Sequence, residues 1–101
     1  MLKNKFLEIS LGITLSGWYL IYPQLFFPSS QAQPVQVLDS APYSSWGWAS
    51  SFDTARECTL EMTKALSYPH PHQPYLGYEK AVSQQSMEGK CISSDDPRLK
   101  P

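Results

Sequence analysis

What this chain has little of narrows it first. Only 17% of its 101 residues are charged, the formal net charge is -1, and the charges alternate in sign instead of forming blocks. That excludes the basic footprint of a nucleic-acid binder and gives no electrostatic tail. Cysteines number two, Cys58 and Cys91, and histidines two, His70 and His72. Neither pair forms a C-x-x-C or zinc pattern, and a transition-metal site needs three or four donors. No Gly-rich phosphate loop, nucleophile elbow, zincin helix or Ser/His/Asp ordering occurs. Asp95 and Asp96 lack a second acidic cluster with which to divide acid and base roles, and they read as a turn. No catalytic constellation is legible, and no cofactor is implied.

The longest absence is of charge at the N-terminal end. Between Glu8 and Asp39 no charged residue occurs. Lys3 and Lys5 precede this stretch, residues 9–22 are apolar with small polar breaks, and Ser30-Gln31-Ala32 offers small residues to a signal peptidase. The segment 1–32 therefore reads as a signal peptide or membrane anchor, followed by an exported domain over 33–101. Residues 9–27 approach the roughly 20 needed to span a bilayer, although Pro23 weakens that span. A rival reading makes Trp18–Tyr22 the first strand of the domain, with Trp18, Leu20 and Tyr22 on one face and Tyr19 and Ile21 on the other. The balance falls on the strand. Export places the protein in the periplasm or outside the cell, or anchored by 9–27, with membrane contact only if that segment is kept.

Two lone cysteines in an oxidising compartment most simply form one disulfide, Cys58–Cys91, and are better used so than as nucleophiles. Two unrelated thiols in a cytosolic protein are the alternative.

High proline (9) and aromatic content (13%) point to a small, turn-rich body with a few large core side chains. Residues 31–42 read as a linker or as a short strand at 35–38. Residues 43–52 alternate with period two, which puts Trp46, Trp48 and Phe52 on one face. A helix follows, capped by Asp53 or by Thr54 with Glu57 at capping-box spacing. Its apolar stripe is Ala55, Cys58, Thr59, Met62, Ala65 and Leu66, with Leu60 off the stripe and Glu61 facing away. It ends before Pro69. Prolines 69, 71 and 74 make 67–78 an extended loop. A second short helix over 79–89 ends at Gly89, residues 90–93 form a strand, and a polar tail turns at Asp96-Pro97. The architecture expected is α+β, a small antiparallel sheet with one main amphipathic helix packed across it, stapled by one disulfide.

Three blocks, at 18–23, 51–58 and 91–100, cover about a quarter of the chain. They resemble the pattern W-Y-L-M-x-P-P, S-F-D-T-A-x-E-C and C-I-x-S-D-D-P-R-L-K of a group of small exported bacterial proteins of unknown function. The resemblance implies an exported domain with its cysteines paired, and no activity. Gln24 departs from the pattern, the Pro/His loop is outside it, and the first block here overlaps the apolar stretch that in such proteins precedes it. Function therefore reads as a non-catalytic binding or interaction module with an envelope protein partner. Its weak ligand-binding candidates are Trp46 and Trp48, otherwise core. The alternative is a metal-handling periplasmic protein using His70 and His72, with Glu79 or a second chain supplying a further donor.

Overall fold

The computed structural model describes residues 17–70 and 72–101. The lysines and apolar residues of the expected signal core up to residue 16, and Pro71 of the loop, lie outside the described residues. Five strands and two helices follow in the order β1 (Trp18–Tyr22), β2 (Leu25–Phe26), β3 (Gln36–Val37), β4 (Gly47–Phe52), α1 (Ala55–Ala65), α2 (Tyr78–Met87) and β5 (Lys90–Ser93). The main sheet is antiparallel in the order β4-β1-β5, and β2 and β3 pair separately. The expected α+β architecture is present, with a second helix nearly as long as the first.

β1 lies in the middle of the main sheet, bonded to β4 on one side and β5 on the other. The alternation within it sorts the core into two layers. Leu20 stands opposite Cys91, on the side of α1, where Cys91 joins Cys58 in a disulfide. Ile21 faces the other way and packs with Trp46 and Ile92, under Tyr43 and Leu99. The C-terminal tail is thus part of the body. Asp96 caps a 3-10 turn over Pro97–Leu99, and this turn lays Leu99 on the second layer. Arg98 reaches back to the Asp96 carboxylate at 2.9 Å and sits 5.0 Å from the centre of the Tyr43 ring. These bonds from Arg98 hold the Asp96 carboxyl below its ordinary value.

A bulge changes one reading of the sequence. The register between β1 and β4 shifts between Leu20 and Ile21, so Trp48 opposes Ile21 whereas Phe52 opposes Trp18. Trp48 and Phe52 therefore lie on opposite faces, because the extra residue inverts the alternation. A pairing irregularity of this kind leaves no mark on the local period.

α1 begins on a capping box. The Thr54 hydroxyl accepts from the Glu57 amide at 3.1 Å, and the Glu57 carboxylate accepts from the Thr54 amide at 3.2 Å. Its inward stripe is Ala55, Cys58, Glu61, Met62 and Ala65, with only Cys58 fully buried. Thr59 and Leu66 are exposed, so the stripe is rotated from the expected one and includes a carboxylate. Leu60, expected off the stripe, is exposed.

α2 packs its buried Ala81 and Val82 toward the β2–β3 pair, and Gln85 Nε2 donates to the Pro23 carbonyl at 2.8 Å. Gly77, at φ 70°, opens this helix in the left-handed region that glycine adopts most readily. Gly89 follows the helix for another reason. It does not adopt a positive φ, but a Cβ there would lie 2.5 Å from Tyr22 Cε1. Gly89→Ala is expected to destabilise the fold by about 1–3 kcal/mol, the usual range for overpacking. A denaturant midpoint unchanged from the parent would contradict this close approach.

Candidate functional site

The sheet and α1 leave a cleft between them where β4 runs past the end of the helix. It has a volume of about 490 Å³, and its walls include Tyr22, Ser50, Glu61, Tyr68, His70 and Gln85. That size falls within the range of ligand pockets. Each wall has a local cause. Tyr22 is the last β1 residue on the α1 face. Glu61 stands one turn beyond Cys58 on the inward stripe. Tyr68 enters because the chain continues in i→i+3 turns after α1, with its amide donating to the Ala65 carbonyl, and Pro69 and His70 follow directly.

The electrostatics centre on Glu61. The Tyr68 hydroxyl donates to Glu61 Oε2 at 2.7 Å, and Lys64 Nζ stands 3.6 Å from Oε1. The Tyr22 hydroxyl is buried and has no hydrogen-bond partner among the described residues. Burial, and secondarily the Glu61 charge, raises the Tyr22 phenol above its ordinary value. The Tyr68 phenol is raised first by its bond to Glu61.

The two tryptophans singled out in the sequence part company. Trp46 is core, buried to 8% exposure, and its indole N–H donates to the Ala41 carbonyl at 2.9 Å. Trp48 is 64% exposed, packs against Tyr19 in a tilted arrangement with ring centres 4.6 Å apart, and donates its indole N–H to the Ser50 carbonyl at 3.2 Å. The two histidines also separate. His70 lines the cleft beside Glu61, whereas His72 lies in a different depression with its Nδ1 2.9 Å from Glu79 Oε2. Glu79 thus meets one of the two imidazoles. No cluster of three or more His, Cys, Asp or Glu side chains able to hold a metal ion occurs among the described residues.

A depression near the start of α1, of about 530 Å³, is lined by Tyr19, Ser51, Phe52, Asp53 and Glu57 among others, but Glu57 is committed to the capping box. Cys58 and Cys91 are joined. The pairing fits an oxidising compartment outside the cytoplasm. No helix among the described residues is long and apolar enough to cross a membrane. Within the stretch 9–27, residues 18–22 and 25–26 are strands.

Sequence reasoning missed Glu61, Tyr22 and Tyr68 as a group. The one available signal was a glutamate at i+3 from a buried cysteine, on the helix face that must meet the sheet. Comparison with family models, with curated proteins and with solved structures finds no match for this chain.

Proposed function

We propose that the protein is a non-catalytic interaction domain of the cell envelope, working on the periplasmic or outer side, and that the outer edge of β4 is where it meets its partner. The observation that carries this reading is Trp48. A tryptophan 64% exposed on the outermost strand of the sheet is a large apolar surface in contact with water. β4 reads Gly-Trp-Ala-Ser-Ser-Phe, with no lysine or proline at its edge, and the bulge at Ala49 leaves Ser50–Phe52 as its longest regular run. Ala49, Ser50 and Ser51 are exposed beside Trp48. Such an edge takes an extended segment by strand addition, with main-chain bonds giving affinity and side-chain recesses giving selectivity. The bond from the Trp48 indole to the Ser50 carbonyl is the local contact that an incoming strand replaces.

A photo-crosslinking residue placed at Trp48 in the native host, with a second at exposed Leu60 on α1 as control, tests the reading. The expected result is a discrete adduct from position 48 in the envelope fraction and none from position 60. Equal labelling from both positions, or none from position 48, would count against β4 as the contact edge.

A further inference from the structure

Among the described residues, Glu61 is the only carboxylate lining the cleft beside β4, and it is placed there by the same helix stripe that buries Cys58. We propose that this cleft takes a primary ammonium group on an aliphatic stem, the lysine side chain of the segment that lies along β4. The proposal rests on the reading of β4 as the contact edge, since Ala49 and Ser50 belong at once to that strand and to the cleft wall.

The sign of the ligand follows from Glu61, which repels an anion and attracts a cation. The choice of ammonium over guanidinium follows from which oxygen is taken. Oε2 already accepts the Tyr68 hydroxyl, and Oε1 is ion-paired with Lys64 at 3.6 Å, a contact without a hydrogen bond whose lysine is 69% exposed and gives way to an incoming ammonium. One available oxygen suits an ammonium, a compact charge with three donors. A guanidinium draws its advantage from a two-oxygen fork. The Tyr22 and Tyr68 rings supply electron-rich faces suited to a cation. Leu20, Ala49, Ala65 and Pro69 give the apolar wall that a methylene stem requires.

The test titrates the full, disulfide-bonded, ¹⁵N-labelled chain with Nα-acetyl-lysine amide and follows the amide signals of Ala49, Ser50 and Ala65. Shifts are expected to saturate with the lysine probe, to need about tenfold more of the arginine probe, and to be absent with the uncharged norleucine probe. Glu61→Gln is expected to weaken lysine binding about tenfold. Norleucine shifts equal to those of lysine, or undiminished lysine binding by Glu61→Gln, would overturn the proposal. The two readings fail separately. A position-48 adduct without lysine binding removes the cleft, and lysine binding without the adduct removes the partner along β4.

Discussion

A chain beginning at Gln33 is expected not to fold, whereas one beginning at Gly17 folds. The shorter chain has lost β1, which supplies both neighbours of the main sheet with their pairing partner. With it go Leu20 and Ile21, each 2% exposed, and the fully buried Pro23. Burying two such aliphatic side chains stabilises a domain by about 3–6 kcal/mol, against a total near 5–15 kcal/mol. The loss also strands hydrogen-bonding groups on β4 and β5, which β1 bridges in the sheet. β3 loses β2 as well. The measurement is amide proton dispersion in the two purified chains, with dispersed signals from 17–101 and collapsed signals from 33–101. A dispersed spectrum from 33–101 would mean that residues 35–38 supply a replacement strand.

The disulfide carries the second large effect. Cys58 is the one fully buried side chain of α1, whose other inward residues are partly buried. The helix is therefore held to the sheet chiefly through the Cys58–Cys91 bond, which spans a sequence separation of 33. Replacing both cysteines by serine is expected to lower stability by about 3–4 kcal/mol on the chain-entropy account. The loss should appear first as faster amide exchange in α1, because local opening begins where buried contacts are fewest. An unchanged denaturant midpoint, with α1 exchange unaltered, would show that the half-buried contacts suffice.

Much of the framework was legible because it rests on local signals. Alternation marked β1 and β4, Thr54 and Glu57 marked the start of α1, and the prolines after Tyr68 marked its end. The two cysteines required only a shared compartment to be paired. The rest depended on partners distant in the chain. The bulge that parts Trp48 from Phe52 is a property of pairing with β1, invisible within β4 itself. Leu99 and Arg98 looked like a polar tail until the other sheet face placed Ile21 and Tyr43 beneath them. Gly89 resembled a helix terminator, whereas its missing side chain makes room for Tyr22. The blocks most distinctive in sequence do structural work here. Asp96 and Arg98 close a turn, Thr54 and Glu57 cap a helix, and Cys58 and Cys91 join two elements. The cleft drew on residues outside those last two blocks, Glu61 and Tyr68, and on Tyr22 from the strand whose retention was in question.

That retention is the central claim, and intact mass tests it most directly. The protein is recovered from the envelope of its own host and weighed, with and without thiol alkylation before reduction. The account predicts a chain that still contains Trp18 and takes up no alkylating agent until it is reduced. A mass that starts at Gln33, or thiols alkylated without reduction, would contradict it.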